Sequence, residues 1–144
     1  MHDVFFAILL TLVAIIGTTI FHLEALGIIN RFSRQTGHRH VLVPAVLTLV
    51  ITAHLLEIAA YTIIYWIAGV PLNIGYFSGE QPNMFDLFYF AAGTYSSLGL
   101  DDIMPHGALR LIVAIGSING ILLLAWSGAF LFAFADRMRW ERRG

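Results

Sequence analysis

The chain has 144 residues, 58% of them hydrophobic and only 12% charged, with a net charge of −1. A soluble domain of this size needs roughly twice that charged fraction on its surface, so the composition excludes an ordinary water-soluble domain and points to a bilayer, while the net charge says nothing of nucleic acid, because what matters is where the charges lie. No cysteine is present, which excludes disulfides and thiolate metal sites.

In chain order, the first apolar window runs from Val4 to Ile29. It exceeds the roughly 20 residues that cross a hydrocarbon core. Met1-His2-Asp3 offers no basic region before it and no small-residue exit follows, so a retained helix is expected rather than a signal peptide. His22 and Glu24 lie near its inner end on different faces, as polar groups at an interface or facing the bundle. A loop with Arg31, Arg34, His38, Arg39 and His40 follows. It reads as a topology signal with lipid-headgroup contact.

The second window, residues 41–70, carries His54 and Glu57 at i and i+3. An ionisable group near mid-membrane is costly, and such a pair is a functional candidate. Three readings stay open: an interhelical hydrogen bond from Glu57 to Asn119, Ser117 or Trp126, a proton- or metal-sensitive element, or a metal site with His54 and Glu57 as ligands. Trp66, Tyr61, Tyr65 and, at the far end of the chain, Trp140 read as interface anchors.

Residues 71–83 form a turn-rich linker, after which Asn83 with Asp86 three positions later predicts a helix start. The helix expected over residues 84–96 is too short to span. It must therefore re-enter the membrane, and the irregular backbone after it must line protein or a water-filled cavity. The third spanning helix is expected over residues 108–135, with Gly116, Gly120 and Gly128 among its small residues, and a tail at 136–144 holds Arg137, Arg139, Arg142 and Arg143. The two arginine clusters place both flanking regions in the cytoplasm and the amino terminus outside. The segment between the second and third spans carries Glu80, Asp86, Asp101 and Asp102 and no basic residue, as an outer segment should. Arg110 is positioned to pair with one of these aspartates.

The run Thr94-Tyr95-Ser96-Ser97-Leu98-Gly99-Leu100-Asp101-Asp102, with Pro105 in the turn beyond and Gly120 in the third helix, resembles the pore region of potassium channels: pore helix, a filter of TVGYGD type, outer turn, inner helix with a hinge glycine. The resemblance extends from about Asn83 to Ala135. It implies an all-α membrane protein with three transmembrane helices plus one re-entrant pore helix and filter loop. Residues 1–40 would be an added helix and basic loop, and residues 41–144 the pore module. The implied filter is Ser97, Leu98, Gly99, Leu100 and Asp101, with Asp102 at the outer mouth and Gly120 as gating hinge. One loop per chain implies a homotetramer among membrane lipids, most naturally in a bacterial inner membrane, with no cofactor, small-molecule substrate or nucleic acid.

Leu100 and Asp101 replace the family's tyrosine and second glycine. Leu100 lacks the phenol that props such a filter, while aspartate tolerates a left-handed backbone and adds charge at the mouth. The expected function is therefore passive cation conduction, K+ first, with a non-selective or Na+- or Ca2+-passing pore as the alternative. A non-conducting protein that uses the pore fold around a His54/Glu57 metal or proton site is the reading from another class. No nucleophile set, phosphate loop or carboxylate pair in a soluble cleft suggests an enzyme.

Overall fold

The computed structural model describes residues 1–35, 39–79, 82–99 and 103–140. Three long helices dominate: α1 (His2–Gln35), α2 (Arg39–Gly69) and α4 (Leu109–Trp140), and each is long and apolar enough to cross a membrane. Between α2 and α4 lie a three-residue strand β1 (Gly75–Phe77), the short helix α3 (Met84–Tyr95) and a second strand β2 (Pro105–Gly107). α1 packs on both α2 and α4, while α3 packs into the angle between α2 and α4. At 1.5 Å per residue the three long helices are each about 45–50 Å long, enough to cross the hydrocarbon and project beyond it.

The long helices are apolar nearly all round because lipid, not water, covers their outer faces. Leu12, Ile16, Ile20, Leu56, Ile63, Leu122 and Phe132 are among the exposed apolar side chains. Inside, the core divides in two. One cluster, with Tyr61, Tyr65, Phe90, Leu109 and Ile112, surrounds α3 and the strands. The other, with Leu26, Ile29, Leu42, Val46 and Phe134, joins the arginine-bearing ends of the three long helices. There Arg137 donates to Asn30 Oδ1 at 3.1 Å and to Ser33 Oγ at 2.8 Å, tying α4 to α1.

Helix α3 starts where the sequence signal lies. Asn83 Oδ1 accepts from the backbone N–H of Phe85 and Asp86, and Asp86 Oδ2 accepts from the Asn83 N–H, a reciprocal capping box. The strands are not foreseen by the linker reading. Gly75 pairs with Gly107, Tyr76 with His106 and Phe77 with Pro105 in an antiparallel ribbon, with the Tyr76 and His106 rings stacked at 4.8 Å. Three-residue strands carry too little alternation to be read from sequence. What permits them is glycine: Gly107 holds φ 66°, and a Cβ on Gly75 would lie 2.3 Å from the His106 carbonyl oxygen.

Tyr61 and Tyr65 correct the interface reading, since both are 1% exposed and sit in the core around α3. Their burial follows from the small residues opposite. A Cβ on Gly116 would lie 2.8 Å from Tyr61 Cε1, and a Cβ on Gly120 would lie 2.5 Å from the Tyr95 carbonyl oxygen, whereas nothing lies within 4 Å of one on Gly128. The G-x-x-x-G face of α4 is thus a close contact with α2 and α3. Gly120→Ala, which must displace backbone, should destabilise the protein by about 1–3 kcal/mol and Gly116→Ala by somewhat less. Gly128→Ala should be neutral or stabilising by up to about 1 kcal/mol. Thermal unfolding of the three variants in one detergent checks the order.

Candidate functional site

Two features of the bundle carry chemistry: the turn that follows α3 and a polar cluster behind it. α3 ends at Tyr95, with Ser96 in the right-handed region and Ser97 at φ 57°. The N–H of Ser97 reaches the Thr94 carbonyl at 3.1 Å and that of Leu98 reaches the Gly93 carbonyl at 2.9 Å, which closes the helix through a left-handed cap. Gly99 is again at positive φ, 62°, while Leu98 between them is not. The backbone therefore alternates in hand at Ser97, Leu98 and Gly99, and all three residues are exposed. Leu100, Asp101 and Asp102 lie outside the described residues. Arg110 is exposed at the start of α4.

Ser117 of α4 holds this turn from behind. Its Oγ donates to the Thr94 carbonyl at 2.8 Å and lies 3.2 Å from Ser97 Oγ. One turn further along α4, Gly120 lies against Tyr95, so the inner helix touches the end of α3 at successive turns. In the sequence Ser117 stands both as a possible partner for Glu57 and as one of the small residues of the third helix, and the structure assigns it to the helix contact. Its position one turn before Gly120, on the face that meets α3, is the signal that identifies it.

Behind α3 lies the polar cluster. Glu57 Oε1 is 2.8 Å from His22 Nδ1, Glu57 Oε2 is 3.1 Å from His54 Nδ1, and the Tyr95 hydroxyl donates to Oε2. The other nitrogens of both imidazoles meet one hydroxyl: Ser127 Oγ is 2.9 Å from His54 Nε2 and 3.3 Å from His22 Nε2. The cluster thus takes one or more residues from each of the four helices. His22 and Glu57 are at most 1% exposed, and the three ligand-type side chains have donor atoms within 4.8 Å of one another. They are the described residues able to hold a metal ion as a group.

Asn119 belongs elsewhere. Its amide donates to Thr18 Oγ1 at 2.9 Å and to the Tyr61 hydroxyl at 3.0 Å, so it links α1, α2 and α4 rather than meeting Glu57. The Glu57 partners expected from α4 are replaced by His22 from α1 and Tyr95 from α3, because Gly120 lets the end of α3 come in between. Glu24, two residues from His22, is exposed. The signal that could have found His22 is that it is the sole imidazole in the first apolar window, residues 4–29, as His54 is in the second, residues 41–70. In hydrocarbon such side chains find each other.

A carboxylate buried here depends on its donors. Tyr95→Phe removes one hydrogen bond to the charge and should cost about 1.5–3 kcal/mol. Tyr61→Phe, which removes only a neutral partner of Asn119, should cost about 0.5–1.5 kcal/mol. Paired thermal melts in detergent, with helix content followed by circular dichroism, check the difference.

Comparison with known proteins agrees with the geometry. A family model described as an ion channel, the potassium-channel-like pore domain with two transmembrane helices, matches residues 49–137, which takes in most of α2, the ribbon, α3, the turn and nearly all of α4. Searches of curated proteins and of solved structures returned no match. The match spans well over half of the chain and leaves α1 outside. The chain belongs to the ion-channel family with a potassium-channel-like pore domain and is an integral membrane protein with a cation-channel pore module.

Proposed function

We propose that the chain is one subunit of a homotetrameric pore for the passive flux of potassium-type monovalent cations. Ser97, Leu98 and Gly99, continued by Leu100 and Asp101, form its filter, with Asp102 at the outer mouth. The observation that carries this reading is the alternation of backbone hand at Ser97, Leu98 and Gly99 directly after a helix too short to span. A strand that alternates in this way turns successive carbonyl oxygens to one side, and carbonyls from several chains around an axis replace an ion's hydration shell. The carbonyl end of the α3 dipole lies at the same place and favours a cation there. One turn per chain supplies a fraction of such a ring, which is why the reading needs four copies.

In this reading Gly120 is the gating hinge of α4. Its contact with Tyr95 supports the role, because a bend in α4 at that point bears directly on the residue that begins the turn. Conduction runs between an outer side, which holds the amino terminus and the ribbon, and a cytoplasmic side with the arginine clusters. A bacterial inner membrane is the proposed location. The substitutions Leu100 and Asp101, relative to the family's tyrosine and glycine, favour a second reading in which the pore passes Na+ or Ca2+ as well.

Flux of purified protein in liposomes under opposed K+, Na+ and Ca2+ gradients tests both. At Gly99 nothing lies within 4 Å of an added Cβ, so Gly99→Ala should change the backbone alone, by about 1–2 kcal/mol of strain at its positive φ. Loss of K+ flux in Gly99→Ala with a melting temperature lowered by only a few degrees is the expected outcome, and undiminished flux would put the ion path elsewhere. Equal K+ and Na+ flux in the wild type selects the second reading. Asp101→Asn should weaken divalent block or divalent permeation in either case.

A further inference from the structure

Glu57 is buried among three helices, and its ion-pair partners among the described residues are two imidazoles rather than an arginine. The chain has no lysine. His22 and His54 turn the same nitrogen, Nδ1, to its carboxylate, and both turn Nε2 to Ser127 Oγ. A count of hydrogens decides what this arrangement suits. The Tyr95 hydroxyl also lies 2.8 Å from His54 Nδ1, but donating there it would leave Glu57 Oε2 without a donor; when it donates to Oε2 instead, each Nδ1 without a cation carries a hydrogen for the carboxylate and each neutral ring has a bare Nε2. Ser127 has one hydroxyl hydrogen for two bare nitrogens. One of them stays unpaired at a buried position, which folded proteins avoid.

A cation between the two Nδ1 atoms and the carboxylate reverses the count. Both Nδ1 lone pairs go to the ion and both Nε2 atoms carry hydrogen. The two lone pairs of Ser127 Oγ accept from both. Both nitrogens of each ring and the carboxylate are then paired with no proton gained or lost.

We propose that His22 Nδ1, His54 Nδ1 and the Glu57 carboxylate form a site for a divalent transition-metal ion that fastens α1 to the base of the pore helix. Two imidazoles and one carboxylate suit zinc, cobalt, nickel or ferrous iron, and disfavour magnesium and calcium. Ser127 orients both rings and Tyr95 holds the second carboxylate oxygen, the supporting hydrogen bonds that metal ligands ordinarily have. Bonds of about 2.0–2.1 Å to zinc place neighbouring ligand atoms about 3.3–3.4 Å apart. The His22 Nδ1 to Oε1 separation of 2.8 Å must open by about half an ångström, and the ligand atoms of all three side chains already lie within 4.8 Å of one another. A cavity of about 300 Å³ between α1 and α2, lined by Gly17, Phe21, Leu56 and Ile64, reaches Glu57. The site reaches Tyr95, the last residue of α3, so a bound ion acts on the helix that carries the turn.

The test is Co2+ titration of chelator-treated, detergent-solubilised full-length protein, followed by its visible ligand-field absorption and by elemental analysis. One Co2+ per chain with a nitrogen- and oxygen-ligated spectrum, displaced by Zn2+ and not by Mg2+, is expected. Ser127→Ala should weaken binding about 10–100-fold. His22→Ala and Glu57→Gln should abolish the absorption, and His106→Gln, at the distant ribbon, should leave it unchanged. A wild-type spectrum identical to aqueous Co2+ would overturn the proposal and leave a hydrogen-bonded pair completed by one extra proton. So would binding that persists in both His22→Ala and Glu57→Gln. The wild-type spectrum stands even if a variant fails to fold, and none of these readings involves flux, so failure of the pore reading is separately visible.

Discussion

The structure depends on keeping one carboxylate satisfied inside the bundle. Glu57 lies 12 residues before the end of α2, about 18 Å along a helix, and is walled by apolar clusters on both sides. An unpaired charge at such a depth costs several kcal/mol, so the surrounding helices must deliver donors to it. Those donors come from α1 and α3 and from α2 itself, with Ser127 of α4 behind the rings. The crossing points of the helices follow from this demand as much as from apolar packing, which in lipid distinguishes poorly between one helix face and another.

The same requirement explains where small residues are needed. For the Tyr95 phenol to reach Glu57, the end of α3 must press close to α4, and Gly120 is the residue that lets the Tyr95 backbone approach. Gly116 does the same for Tyr61, whose hydroxyl takes a hydrogen from Asn119. The turn after Tyr95 is then held by Ser117 on the same helix face. Fixing the carboxylate, seating the short helix and shaping the turn are three results of one set of contacts. The domain matched by the family model does not contain all of it, since His22 comes from α1.

The spans, the re-entrant helix and its capping box were legible because each rests on a local signal: length of an apolar run, an Asn with an Asp three residues on, a run too short to cross. His54 and Glu57 were legible as a pair because they are neighbours on one helix. Their partners were not. His22 is 35 residues from Glu57 and Tyr95 is 38 away on the other side, and no local pattern relates such positions. Tyr61 and Tyr65 read as interface anchors since an aromatic in a span gives no sign of whether lipid or a glycine faces it. The ribbon was invisible for a related reason: its two strands are three residues each and recognise one another only across the whole inserted segment.

That ribbon bears on how the chain is assembled. With Gly75 opposite Gly107, the ends of the inserted segment are joined before and after α3 by main-chain bonds and by the stacked Tyr76 and His106 rings. A 12-residue helix cannot be held in a bilayer as a span of its own. It must be delivered after the long helices are in place, on a loop whose two stems are already clasped. The clasp shortens the search, because closing the stems removes much of the freedom that a long open loop would have to lose at docking. Biogenesis of such a chain is therefore a two-stage event, with insertion of three helices first and the entry of a pre-closed loop second.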